Sequence, residues 1–173
     1  MTGQGPVDDA TFEAARLGNV TALGEAMAAG SSPDGVNGRG DTLLILAAYH
    51  GRLEAVRALL AAGADPERAN ARGQTALAAA AFKGDLATME ALLDAGASVD
   101  GAGPDGRTAL MTAAAYDRGP PTELLLRRGA DPDRRDGEGR DAMDHAQANK
   151  AYATPRLIAK TRLARMNGQP TGG

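Results

Sequence analysis

Cysteine and tryptophan are absent from the 173 residues, and aromatics of every kind make up only 3 %. Without cysteine there is no disulfide framework, no thiolate metal site and no thiol nucleophile, and a reducing compartment is the natural setting. Only two histidines occur, His50 and His145. Two such ligands far apart in the chain do not make a zinc site. No run approaches the ~18 consecutive apolar residues of a membrane helix. Met1 to Asp9 holds neither a basic stretch nor an apolar one, so no secretory leader is expected. A strong charge of one sign is also missing. The net charge is −3, which offers little of the counterion release that drives binding to nucleic acid.

What is present is a fair supply of small and aliphatic residues. Apolar residues make up 43 % and there are 23 glycines without a collagen-like period. A core built from Ala, Leu, Val and Met suits thin helices packed closely, and the glycines suit frequent turns.

Those residues repeat every 33 positions. Gly40-Asp41-Thr42 recurs as Gly73-Gln74-Thr75, Gly106-Arg107-Thr108 and Gly139-Arg140-Asp141. Ala47-Ala48 recurs as Ala80-Ala81 and Ala113-Ala114, and Leu59-Leu60 as Leu92-Leu93 and Leu125-Leu126. Each unit explains itself locally. A threonine at position 42, 75 or 108 supplies the oxygen that caps a helix. The paired alanines let a second helix approach. Gly51 and Gly84 tolerate a left-handed turn between the helices. Leu53, Val56, Leu59 and Leu60 form an apolar stripe on the second helix, and Gly63 ends it. A single unit cannot bury that stripe alone, so the units stack.

This pattern resembles the ankyrin repeat, whose period is 33. The resemblance implies an all-α solenoid of paired antiparallel helices joined by short β-hairpin-like fingers. Full repeats fall at 35–67, 68–100 and 101–133, between a capping repeat at 7–34 and a degenerate one at 134–166. Residues 1–6 and 167–173 are expected to be disordered. The chain departs from the family in places. The familiar Thr-Pro-Leu-His is reduced to Thr-x-Leu, so the histidine that ties neighbouring loops is missing. Asp117 replaces the glycine between the helices of the third full repeat. Gly119-Pro120-Pro121 stands where its second helix should begin, so that helix is expected to start late and this repeat to be the soft point. Pro155 acts similarly in the last repeat.

Several motifs invite chemistry and do not sustain it. Gly101-Ala102-Gly103-Pro104-Asp105-Gly106 spells a dinucleotide fingerprint, but no strand of a parallel sheet precedes it. Asp131, Asp133 and Asp136 approach a calcium loop, yet the spacing is wrong and Arg134-Arg135 intervenes. Asp144-His145 is an acid–imidazole pair without a nucleophile, on adjacent positions that point apart on a helix. Asn19-Val20-Thr21 is a formal glycosylation sequon, more simply an inter-helix loop. No enzyme activity, cofactor or metal is expected.

The family usually grips a partner protein with its finger tips and the inner face of its first helices. The matching positions here are Arg39, Asp41, Arg72, Gln74, Asp105 and Arg107 on the fingers. On the helices they are Tyr49, His50, Phe82, Lys83 and Tyr116. Aromatics and arginine are the commonest hot spots, although Tyr49 and Phe82, one repeat apart in the same slot, would also serve to seal the solenoid. The finger arginines, with Arg140, lean toward an acidic protein surface. The resulting expectation is a cytoplasmic, monomeric protein-binding module with no nucleic acid or membrane among its partners. An inhibitor or immunity-type regulator of a cognate enzyme is the alternative, and a hydrolase or transferase hidden in the degenerate C-terminal part is a more distant one.

Overall fold

The computed structural model describes residues 7–168. They form ten helices: α1 (Asp9–Leu17), α2 (Val20–Ala28), α3 (Leu43–Tyr49), α4 (Leu53–Ala61), α5 (Ala76–Lys83), α6 (Leu86–Asp94), α7 (Ala109–Ala115), α8 (Gly119–Arg127), α9 (Ala142–Ala148) and α10 (Thr154–Met166). The odd-numbered helices pack in order on one another, and so do the even-numbered ones, giving two layers of a solenoid. Among the described residues there is no strand. The described fingers carry the isolated bridges Val36–Thr42 and Ala102–Thr108.

The sequence period is visible in the helix starts. Helices α3, α5, α7 and α9 begin 33 residues apart, each after a capping oxygen from Thr42, Thr75, Thr108 or Asp141. Alanine fills the seam between layers: Ala47, Ala48, Ala80, Ala81, Ala113 and Ala114 are all buried. Val56, Leu59, Met89, Leu92, Leu124 and Leu125 fill the core from the second helices. Carboxylates on the loop side link the first four units in series. Asp65 N–H donates to Asp34 at 2.8 Å, Ser98 N–H to Glu67 at 2.8 Å and Asp131 N–H to Asp100 at 3.0 Å.

The third full repeat is a correction to the sequence expectation. Helix α8 begins on register at Gly119, not late. The first four N–H groups of a helix have no intrahelical partner, so Pro120 and Pro121 forfeit no hydrogen bond there. Pro121 and Thr122 are in fact buried. In the last unit the delay expected from Pro155 is present: α10 starts at Thr154, two residues after the position equivalent to Gly119.

Asp117 keeps the left-handed backbone of the glycine it replaces, with φ +50°. Its carboxylate accepts hydrogen bonds from the N–H groups of Tyr152 (3.0 Å), Ala153 (2.9 Å) and Thr154 (2.9 Å), and from the Thr154 hydroxyl (3.1 Å). It therefore caps α10 from the neighbouring unit. Those donors, the Thr154 N–H first, hold its pKa below the ordinary carboxylate value. At the other end of the chain, Asn19 of the sequon caps α2 through Ala22 N–H at 3.1 Å. Of the expected disordered ends, residues 1–6 and 169–173 lie outside the described residues, while Asn167 follows α10 as its C-cap.

Candidate functional site

The inner layer and the fingers enclose a groove of about 690 Å³. Its floor comes from α3, α5 and α7, and its rim from the fingers that precede them. Ten of the eleven residues singled out from sequence line it: Arg39, Asp41, Tyr49, His50, Arg72, Gln74, Phe82, Asp105, Arg107 and Tyr116. Lys83 is not part of the lining, but its ammonium lies 5.0 Å from the centre of the Tyr49 ring.

The aromatic side chains form a ladder. Tyr49 and Phe82 stack with ring centres 5.9 Å apart and planes within 10°. Phe82 meets Tyr116 edge to face at 4.6 Å. They touch, as packing residues would, yet Tyr49 is 37 % and Tyr116 57 % exposed. The ladder thus has a free face toward the groove. Its spacing follows from placing one aromatic near the end of each first helix, at positions 49, 82 and, one residue further on, 116.

Four arginines and two aspartates line the groove, on a chain whose net charge is −3. Both acids are engaged within the fold. Asp41 is buried and accepts from Asn70 Nδ2 at 2.7 Å. Asp105 accepts the N–H of Arg107 at 3.0 Å. Arg72 lies 3.6 Å from Asp41, and Arg39 makes no side-chain ion pair among the described residues. His50 is held below its ordinary pKa, first by lost hydration and then by the charges of Arg16, Arg52 and Lys83. Both effects favour its neutral form. Arg140 is turned away into contacts with Glu138 (2.8 Å) and Asp136 (3.6 Å).

Sequence reasoning did not mark Arg16, Asn37, Ile45, Leu46, Ala78, Thr112 and Ala115, which also line the groove. Arg16 comes from the N-terminal unit, where the register was weakest. The tie between fingers was also missed. Asn70 bridges to Asp41 in place of the absent family histidine, while its Oδ1 accepts from Arg72 and Gln74 N–H at 3.0 and 2.9 Å. Its equivalent Asn37 does the same for Arg39 and Asp41, a signal that was present in the 33-residue register.

The other motifs are absorbed by the repeat. Gly101 to Gly106 is the finger between α6 and α7, and a Cβ on Gly103 would overlap the backbone of Gly73 in the preceding finger. The acids of the 131–136 segment point to different partners: Asp131 to Arg165 at 3.0 Å, Asp133 to Arg162 at 2.7 Å and Asp136 to His145 at 2.7 Å. His145 is buried, and it pairs with Asp136, not with its neighbour Asp144. Asp144 caps its own helix by accepting from Asp141 N–H.

A family model for ankyrin repeats (3 copies) matches residues 11–102 and 63–136. The chain belongs to the ankyrin-repeat family. Ankyrin arrays are generally protein–protein interaction modules, and proteins built from them are typically non-catalytic. No curated protein matches the chain. No helix among the described residues is long and apolar enough to cross a membrane.

Proposed function

We propose that this ankyrin array binds a segment of another protein along its concave groove, without catalysis, as a cytoplasmic monomer. One observation carries the reading: the Tyr49–Phe82–Tyr116 ladder presents a free aromatic face in a groove rimmed by arginine. Rigid aromatics supply contact area at little entropic cost, and truncating a central one typically costs ~2 kcal/mol or more of affinity. The arginine excess favours an acidic partner surface. The units at 7–34, 35–67, 68–100, 101–133 and 134–166 act as one binding platform, the two outer ones as caps. An inhibitor of a cognate enzyme would use the same groove, and a functional assay of the captured partner separates that case.

The test replaces Tyr49, Phe82 and Tyr116 together by alanine. Circular dichroism and a pull-down are then read on the same sample. A folded variant that loses the partner supports the groove. A folded variant that binds normally overturns it, and an unfolded one means that the ladder serves to seal the solenoid.

A further inference from the structure

Asp136 and His145 form a buried hydrogen-bonded pair that the aromatic ladder does not use. Their side chains are 4 % and 3 % exposed, and Nε2 lies 2.7 Å from Asp136 Oδ2. The other carboxylate oxygen accepts the N–H groups of Glu138 and Arg140, both at 2.9 Å. Burial by itself opposes ionisation of this carboxyl. The Arg140 N–H, the imidazole and the Glu138 N–H outweigh it and bring the pKa to about 2.

The pair fixes a tautomer. An ionised carboxylate can only accept, so the imidazole proton sits on Nε2. In the neutral ring Nδ1 is then a lone pair, and Arg107 Nη2 reaches it in a long contact of 3.4 Å. Arg107 lies on the finger before α7 and lines the groove. In the 33-residue register, position 145 is the equivalent of Leu46 and Thr112, which also line the groove. The pair therefore lies beneath the C-terminal end of the groove, behind Arg107.

We propose that Arg107, seated by the His145–Asp136 pair, is an anion-docking subsite at the C-terminal end of the groove and takes a carboxylate from an acidic peptide segment of the partner. The inference rests on the groove reading and adds the cation that sets the partner's register. With one N–H turned to the imidazole, the remaining donors of the planar guanidinium stay free for a carboxylate. Holding the side chain in place lowers the entropy lost on docking. Neither groove acid forms an ion pair with Arg107 among the described residues: Asp41 accepts from Asn70, and Asp105 from the Arg107 N–H.

The structure supplies a conservative variant that reverses the tautomer. Position 136 is the equivalent of Asn37 and Asn70, and those asparagines cradle their own fingers through Oδ1. Asp136→Asn should keep that cradle and turn an amide N–H toward Nε2. The ring proton must then move to Nδ1, where it opposes the Arg107 N–H and unseats it.

A random peptide library displayed on phage, panned on the wild-type protein, provides the probe. Enriched peptides should carry Asp or Glu at one position and fail to bind the Tyr49, Phe82, Tyr116 triple variant. Arg107→Ala should bind them about ten-fold more weakly, the size of one charge-assisted hydrogen bond, and no longer prefer the acid over its amide counterpart. Asp136→Asn should match Arg107→Ala, add nothing to it in the double variant, and show the imidazole proton on Nδ1 by ¹⁵N NMR. Should Asp136→Asn lose its fold, the exposed Arg107→Ala carries the test alone. An acid preference intact in Arg107→Ala, or losses that add in the double variant, overturns the inference. Enriched peptides without an acidic position overturn it too and leave the groove standing. Peptides that bind the triple variant normally overturn the groove itself.

Discussion

Restoring the family's glycine at position 117 should destabilise this protein. Family resemblance alone predicts the reverse, because Asp117 holds a left-handed backbone at φ +50° that glycine adopts freely. The relief is ~1 kcal/mol, the low end of the left-handed cost because Asp visits this region more readily than most residues. Against it stands the loss of an acceptor for three backbone N–H groups and one hydroxyl at the start of α10. A capping side chain contributes typically ~1 and up to ~2 kcal/mol, and an anion at a helix N-terminus adds ~0.3–1 kcal/mol. The net expectation for Asp117→Gly is a loss of ~1 kcal/mol, or ~2–4 °C in melting temperature for a chain of this size. Asp117→Asn, which keeps one acceptor oxygen and tolerates the backbone, should fall between the two. Because the folded pKa of Asp117 lies below its ordinary value, its contribution is present above that value and is lost as the pH falls through the folded one. The gap between wild type and Asp117→Gly should therefore close in acid. Urea unfolding followed by circular dichroism, with hydrogen exchange on α10, measures the effect. An Asp117→Gly variant as stable as the wild type, or more so, would refute the cap.

Leu92 is fully buried on α6, so Leu92→Ala should cost ~2–5 kcal/mol in denaturant melts. Gly103→Ala should destabilise as well, since its Cβ would overlap the Gly73 backbone, whereas Gly38→Ala, with open space around it, should change the melting temperature little. The Asp136 carboxyl, lowered from 3.8 to about 2, stabilises the fold above its ordinary value. That contribution should disappear between those two pH values in acid melts of the wild type and persist at neutral pH. Amides of α8 beyond its first turn should exchange as slowly as those of α4 and α6, because the prolines occupy a regular first turn.

The fold was legible because one physical solution is written repeatedly. The threonine caps, paired alanines and second-helix leucines recur every 33 residues, and α3 to α8 start in that register. Ten of the proposed groove residues were legible for the same reason, since register alone carries a position onto the inner face. What failed was local exception. Pro120-Pro121 reads as a break until the helix start is fixed by its neighbours, which puts both rings where no N–H is needed. Asp117 reads as a defect until the following unit brings α10 onto its carboxylate, 35 residues further along the chain. His145 reads as a residue simply lying on the first helix of its unit, pointing away from Asp144, and its buried partner Asp136 on the finger, nine residues earlier, was not anticipated. For Asp117 a contact between units decided the residue's role, and for His145 a contact between the helix and the finger of one unit did; neither can be read from a run of neighbouring residues.

The groove is tested most directly by hydrogen exchange of the protein alone and in complex with a partner captured from its native source. The expected result is slowed exchange in the fingers at 37–41, 70–74 and 103–107 and at the ends of α3, α5 and α7. Protection confined to α4, α6 and α8, with those fingers and helix ends unchanged, would contradict it.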